Sequence, residues 1–440
     1  MLSKILKLSL LILFIVVSVS LYETDRKYSD LKKELKEKKA LINDQLIYIN
    51  KNNASHEINI KKKIKKLEFP KYKSLEINLY NNKKKLNFYK SNNQLVRGIN
   101  NFFPGSGYLD LYENKLFLIS ATGLIGYSNN LYGDSIIFNQ INNNINDFLS
   151  LDEINKGNWF SVKDLLVVNN NIYVSFTNEQ KNNCWNTSVI VAKLNFEYLK
   201  FSNFFEPKYC VKSKNNYDKE FNAHQSGGKL FKYDDDNIIL TMGDYRLRKL
   251  AQDINSTFGK ILKLNSKSKR YEILSLGHRN PQGLYYNLDK DYVISTEHGP
   301  HGGDEINLNL NTKIVKNFGW AISSYGEHYG GKESYENKSK YKKYPLHKSH
   351  KDYNFIEPIK YFVPSIGISQ LVQIKQNKFL LSSLKDESIY TFTLNEKNEL
   401  TEFKRIEIGE RIRDMVYDSE KKEVVLFLEN TASIGILKTN

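Results

Sequence analysis

Hydrophobic and polar positions change rhythm three times along the 440-residue chain. Met1–Tyr22 carries Lys4 and Lys7 and then LSLLILFIVVSVSLY. Adding Ile5 and Leu6, with Lys7 snorkelling, brings this run close to the ~20 apolar residues that span a bilayer. It predicts a membrane-anchoring helix. A cleaved signal segment is the competing reading, with Ser18-Val19-Ser20 as an imperfect small-residue site. Lys4 and Lys7 set the N-terminus in the cytoplasm, so either reading exports the remainder. Residues 23–70 read as a stalk. Tyr28 to Asn52 is free of Gly and Pro, with Leu31, Leu35, Ile42 and Ile49 at heptad positions that Lys38 and Gln45 interrupt. A solitary amphipathic stalk helix accounts for this better than a coiled coil. Lys61 to Pro70 follows as a basic linker.

Beyond Pro70 the rhythm shortens to β runs, and one unit recurs six times: a first strand, a polar turn and a second strand. The copies are GYLDLYENKLFLISA from Gly107, VKDLLVVNNNIYVSFT from Val162 and GGKLFKYDDDNIILTMGD from Gly227. PQGLYYNLDKDYVISTEHG from Pro281, ISQLVQIKQNKFLLSSLKD from Ile368 and IRDMVYDSEKKEVVLFLEN from Ile412 complete the set. Second strands begin near Leu116, Ile172, Ile238, Tyr292, Phe379 and Val424. Outer strands follow several units, as at Thr187–Leu194 with Phe201–Phe205, and at Ser388–Leu394 with Thr401–Ile408. Six irregularly spaced units of this length predict an all-β fold: a six-bladed β-propeller over 71–440, preceded by the N-terminal hydrophobic helix and the helical stalk. A β-sandwich pair would leave the sixfold recurrence unexplained.

Charge changes this picture little. Of the formal +16, Met1–Leu75 carries +9, from 17 Lys/Arg against 8 Asp/Glu, so the excess sits in the stalk rather than on a nucleic-acid-reading face. Cys184 and Cys210 are the two cysteines; they make either one bridge in an oxidising compartment or two separate buried thiols.

The repeat also predicts where chemistry gathers. In an antiparallel hairpin, the start of the first strand and the end of the second lie at the same end. His224 and Gln225, Arg279 and Asn280, and Arg411 and Arg413 stand before or at first strands. Asp244, Glu297 to His301, and Lys385 with Asp386 follow second strands. All therefore converge on one rim, which offers the cations Arg279, Arg411, Arg413 and Lys385 and the imidazoles His224, His278, His298 and His301. Several fixed cations around one cavity call for an anionic ligand, a polycarboxylate or phosphate, beside which an imidazole serves as general base. A metal site at His298-x-x-His301 with Asp304 lacks a fixed helix and a further ligand; Asp304-Glu305 instead reads as pinning the turn.

GHRNPQGL (Gly277–Leu284), EHGPHGGDEINL (Glu297–Leu308) with NFGW (Asn317–Trp320), and HQSGGKL (His224–Leu230) with TMGD resemble the soluble glucose/sorbosone dehydrogenases, the aldose sugar dehydrogenases. AQDINSTFGKILKLN, VPSIGIS, SLKD and RIRD extend the resemblance in register from about Asn158 to the C-terminus. It implies a six-bladed propeller that oxidises an aldose or related alcohol with pyrroloquinoline quinone (PQQ) and calcium. By position, His224 matches the catalytic base, taking the hydroxyl proton while hydride passes from the sugar carbon to the quinone. Arg279 and Asn280 match the pair beside the quinone. Lys385, Arg411 and Arg413 match the cations holding its carboxylates, and Gly299 and Pro300 match the turn whose main-chain oxygens hold calcium. The implied partner is a small sugar, and the implied location is the periplasm or cell exterior, tethered through the N-terminal segment or secreted if that segment is cleaved.

Three departures stand out. The family's GQGGLLD segment aligns with Asn158-Trp159-Phe160-Ser161-Val162-Lys163-Asp164, so Trp159 or a neighbour replaces its Gln. Ala223 precedes His224 where Asp is common, and His301 stands where many relatives have Arg. Ala321 to Ile356 and Tyr361-Phe362-Val363 diverge and shape the substrate mouth. The alternative reading is a catalytically inactive propeller that binds a glycan or protein partner. A metal-dependent propeller lactonase lacks the rim carboxylates it would need.

Overall fold

The computed structural model of the chain describes residues 66–91, 106–131, 133–156, 159–332 and 335–439. The expected membrane segment and stalk helix lie outside these residues. Among the described residues, no helix is long and apolar enough to cross a membrane.

All six sequence-derived hairpins are present. Gly107–Tyr112 pairs with Lys115–Ser120, Val162–Val168 with Asn171–Lys181, and Gly227–Lys232 with Asn237–Met242. Pro281–Asn287 pairs with Tyr292–Glu297, Ile368–Lys375 with Lys378–Ser383, and Ile412–Asp418 with Glu423–Leu428. Outer strands such as Cys184–Lys193 and Ser388–Leu394 add to these pairs on the side away from the first strands. Each first strand packs beside the first strand of the next hairpin, and the last packs beside the first. These six inner strands thus form a closed, propeller-type ring, and residues from all six line a cavity of about 490 Å³.

Neighbouring inner strands are tied by side chains that accept backbone N–H groups across the gap. Asp414 Oδ2 accepts from Leu109 N (2.8 Å), Asp110 Oδ2 from Val167 N (2.5 Å), Asp164 Oδ2 from Leu230 N (2.7 Å) and Gln370 Oε1 from Leu284 N (3.1 Å). Lys229 then bridges two of these acids, donating to Asp164 Oδ1 (2.9 Å) and Asp414 Oδ1 (2.8 Å). All three are buried. Burial opposes charge on Lys229, but the two carboxylates outweigh it and raise its pKa.

Five inner strands slip register near their start: between Val162 and Asp164, Gly227 and Leu230, Pro281 and Gly283, Ile368 and Leu371, and Ile412 and Asp414. Such bulges bend a strand and re-aim one side chain.

One sequence expectation fails here. The stretch Lys61–Pro70, read as a basic linker, enters the sheet at Lys66. Lys66–Pro70 pairs with Ser135–Asn139, and Lys71–Leu79 pairs with Asn82–Tyr89, whose strand joins Ser433–Lys438. This one strand stitches the first sheet to the last. The basic residues obscured an alternation in which Leu67 and Phe69 are buried on either side of exposed Glu68. Pro70 falls where the strand changes partner, so its missing N–H interrupts no continuous ladder.

Cys184 and Cys210 form a disulfide, which settles the open pairing. It ties the short strand Val211–Lys212 to the strand Cys184–Lys193.

Replacing Lys229 by Met leaves Asp164 and Asp414 buried without their cation. A loss of about 3–5 kcal/mol is expected, read as a lower denaturation midpoint. The deficit should shrink as pH falls from 8 to 5, because burial already raises the Asp164 pKa to about 7 and protonation there relieves the stranded charge.

Candidate active site

His224 lies in the turn Asn222–Ser226 that leads into the inner strand Gly227–Lys232. Its backbone N donates to Asn222 Oδ1 (2.8 Å). The turn is held from below by Tyr245 N to Gln225 O and by Gly243 N to Ser226 O. The imidazole is largely buried, and its Nδ1 is sealed from solvent with no hydrogen-bond partner. Burial, then the charges of Lys163, Arg413 and Arg246, push its pKa down to about 3. The side chain is therefore neutral at physiological pH. Ala223, fully buried beneath it, supplies no carboxylate to that nitrogen.

The hairpin within Gly277–Trp320 divides into a scaffold part and a rim part. His278 is 0 % exposed, held by Glu297 Oε1 at Nδ1 (3.2 Å) and by Ser275 Oγ at Nε2 (2.8 Å). It was expected on the rim but is a core residue. Glu297 also accepts from Arg279 N (2.7 Å) and from Asn307 Nδ2 (2.7 Å), which fixes the start of the inner strand. The Arg279 guanidinium donates to His298 O (2.8 Å) and lies 5.4 Å from the Trp320 ring. With the Gln225 amide turned to match its neighbours, Oε1 accepts from both Arg279 Nη2 (2.8 Å) and Arg246 Nε (2.9 Å), and the amide nitrogen donates to Asp244 Oδ1 (3.1 Å). Asp244 Oδ2 in turn accepts from Trp320 Nε1 (2.7 Å). Asn280 Oδ1 accepts from Gly227 N (3.2 Å), joining the His224 turn to the next inner strand.

At the other end of this hairpin, Asp304 does pin the turn. Its Oδ1 accepts from Gly299 N (3.0 Å), and its Oδ2 accepts from Gly367 N (2.8 Å) and Ile368 N (3.1 Å). Glu305 does not share that task; it faces His350 (3.5 Å) and Asn307. Only glycine fits at position 299, where a Cβ would lie 2.1 Å from Gly303 O. Gly299 O and Pro300 O accept no hydrogen bond among the described residues. Lys385, with an exposed side chain, is seated by its backbone N on Ile366 O (3.0 Å), next to the Gly367 that Asp304 holds.

Arg411 and Arg413 already have a partner within the protein. Both bind the buried Glu429, Arg411 through Nε (2.9 Å) and Arg413 through Nη2 (2.8 Å) and Nε (3.1 Å). Ser106 Oγ donates to the same carboxylate. Two guanidiniums thus share one buried acid. His298 feels Asp304, Arg279, Arg413 and Arg411 together; burial first, then these arginines, lower its pKa to about 4 despite Asp304. His224, Arg279, Asn280, Gly299, Pro300, Arg411 and Arg413 thus belong to one neighbourhood. His301 is exposed at its edge, 6.2 Å from the Tyr329 ring. Asp386 turns away to Arg405 (2.7 Å) and Tyr390 (2.5 Å).

Sequence reasoning missed Lys163, Arg246 and Glu429. The hairpin rule reaches all three: Lys163 is at the start of a first strand, and Arg246 and Glu429 follow second strands. Trp159 packs edge-on against Phe221 (4.7 Å) and Trp185 (5.8 Å), forming an aromatic wall beside the His224 turn.

Residues 164–437 match the family model described as Glucose / Sorbosone dehydrogenase. The chain is 29% identical over 211 residues to aldose sugar dehydrogenase YliI of Escherichia coli K12, covering 43% of this chain and 53% of that protein. It is 33% identical over 129 residues to quinoprotein glucose dehydrogenase B of Acinetobacter calcoaceticus, covering 22% and 26%. The chain spans about half the length, or less, of the curated relatives it matches. In fold it is similar to the apo-form of the soluble aldose sugar dehydrogenase from Escherichia coli, with TM-score 0.61 and 18% identity over 81% of this chain and all of that one. It is also similar to the PQQ-bound form of an aldose sugar dehydrogenase from Streptomyces coelicolor, with TM-score 0.54 and 16% identity over 79% and 96%.

Because the His224 pKa is depressed from 6.5 to about 3 in the folded protein, the unfolded chain alone binds this proton between those values. Stability falls as pH drops below 6.5, by about 2 kcal/mol at pH 5 from this residue. His224→Gln should remove that part of the loss, measured by urea denaturation of both proteins at pH 7 and pH 5.

Proposed function

Because the chain belongs to the glucose/sorbosone dehydrogenase family, we propose that it is an exported sugar dehydrogenase, oxidising an aldose or related alcohol with PQQ and calcium. The closed ring of six inner strands supports reading the fold as a six-bladed propeller over 71–440. The observation that carries the function is the meeting of a neutral, unpartnered imidazole with a cation-rich pocket: His224 amid Lys163, Arg246 and Arg413.

The residues present fit the cofactor. Lys163, Arg413 and Arg246 all act on His224, and Arg279, Arg413 and Arg411 all act on His298, a positive field that suits an anionic ligand. Arg411, Arg413 and Lys385 would hold its carboxylates, with Arg279 and Asn280 beside the quinone. The uncommitted carbonyls of Gly299 and Pro300 are hard oxygen donors of the kind calcium takes. When bound, the quinone would accept the hydride that leaves the sugar carbon, with its carbonyl polarised by calcium.

The protein's own part is positioning and proton transfer. His224 Nδ1 is sealed, so Nε2 is the nitrogen that would take the proton of the substrate hydroxyl. Glu429 keeps Arg411 and Arg413 in place before any ligand arrives, and Asp244 does the same for Trp320. Trp159 and the exposed Tyr329 and Tyr361 would shape the sugar's entry. The Cys184–Cys210 disulfide supports an oxidising compartment outside the cytoplasm, reached through Met1–Tyr22 as an anchor or a cleaved signal.

Purified protein supplied with calcium and PQQ is expected to reduce an acceptor dye when aldoses are added. His224→Ala should lower the turnover rate by about 10²-fold to 10⁴-fold. Quinone binding without dye reduction by any aldose would instead favour the binding-module alternative, for which the missing carboxylate at Ala223 is the physical ground.

A further inference from the structure

We propose that Lys163 is a further anion-binding residue of this site, reaching with its amine into the space shared by His224 and Arg413 and taking a carboxylate of the bound ligand. The proposal rests on the cofactor reading above.

The first ground is the repeat. Lys163 is the residue at which the ladder slips between Val162 and Asp164, as Arg413 is between Ile412 and Asp414. Each is followed by an aspartate that accepts the N–H of a neighbouring inner strand, Asp164 from Leu230 and Asp414 from Leu109. Each aspartate also binds Lys229. The two strands are therefore built alike at this point, and the bulge aims both side chains the same way relative to the ring. Lys163 holds the place in its strand that Arg413 holds in the last one.

The second ground is packing. Lys163 is buried, and Gly228 makes room for its stem: a Cβ at Gly228 would lie 2.3 Å from Lys163 Cβ, and its φ of +107° suits glycine. The Lys163 amine forms no hydrogen bond or ion pair among the described residues, whereas Arg413 is bound by Glu429. A buried ammonium without a counter-ion is costly. The charges acting on it are Arg413 and Glu429, with His224 close enough to feel it in turn. Burial, then Arg413, lower its pKa to about 7 against the pull of Glu429. An amine held half-charged beside the Arg413 cation gains from an incoming anion. An apolar side chain would fill the same volume without that cost.

The test compares wild type, Lys163→Leu and Lys163→Arg as full-length proteins. PQQ binding is read by fluorescence quenching with calcium present, and the His224 imidazole is titrated by NMR in the unliganded protein. Lys163→Leu should weaken PQQ binding about tenfold or more, as expected on losing a charge-assisted bond. It should flatten the salt dependence, move the His224 titration to higher pH, and leave the thermal midpoint no lower than wild type. Lys163→Arg should bind within about threefold of wild type. Binding by Lys163→Leu equal to wild type, or an unmoved His224 titration, would overturn the proposal. If wild type itself does not bind PQQ, the cofactor reading falls. Citrate then serves as the tricarboxylate probe, and Lys163 fails if Lys163→Leu is stabilised by citrate as much as wild type.

Discussion

The Lys229 ammonium between Asp164 and Asp414 is the interaction on which the rest depends. Hydrophobic packing holds each sheet together, but it is nearly indifferent to how one inner strand slides along the next. A charged hydrogen bond in a buried setting is not. Asp164 and Asp414 each spend one oxygen on a neighbouring strand's N–H and the other on Lys229. That fixes four of the inner strands in height relative to one another, and the Asp110 bond to Val167 N ties two of them directly. Breaking a buried pair of this kind strands the remaining charges, so the arrangement tolerates little variation.

The functional neighbourhood inherits its geometry from that ring. Residues a few positions before Lys229 form the His224 turn, and the residues just before Asp164 and Asp414 are Lys163 and Arg413. The acids that set the strands thus also set the cations. Electrostatics then works in two layers. Glu429 and Asp244 hold arginines and Trp320 in fixed orientations, and burial, reinforced by the neighbouring positive charges, keeps His224 and His298 neutral. The site is poised for an anion without depending on one to fold, since its arginines already have partners.

Much of this was legible in the chain. The six hairpins were, because each writes alternating apolar residues on both sides of a polar turn, a local signal. The convergence of His224, Arg279 and Arg413 followed from hairpin direction alone. What was hidden depended on distant partners. Lys66–Pro70 looks like a linker because its lysines are conspicuous, and its strand partner lies about seventy residues on. Glu429 neutralises arginines 16 and 18 residues earlier in the chain, a pairing no spacing rule announces. His278 carries the same letter as His224 but sits on the inward side of its turn, between Ser275 and Glu297. Register slips, which decide where Lys163 and Arg413 point, leave no mark in composition.

The central claim is that this ring of inner strands presents a cation-lined pocket built for PQQ with calcium. An absorbance titration of the purified full-length chain with PQQ, in calcium and again in chelator, tests it most directly. The account predicts a saturable spectral change at one equivalent of quinone that chelation weakens or abolishes. An unchanged PQQ spectrum at micromolar protein with calcium present would contradict it.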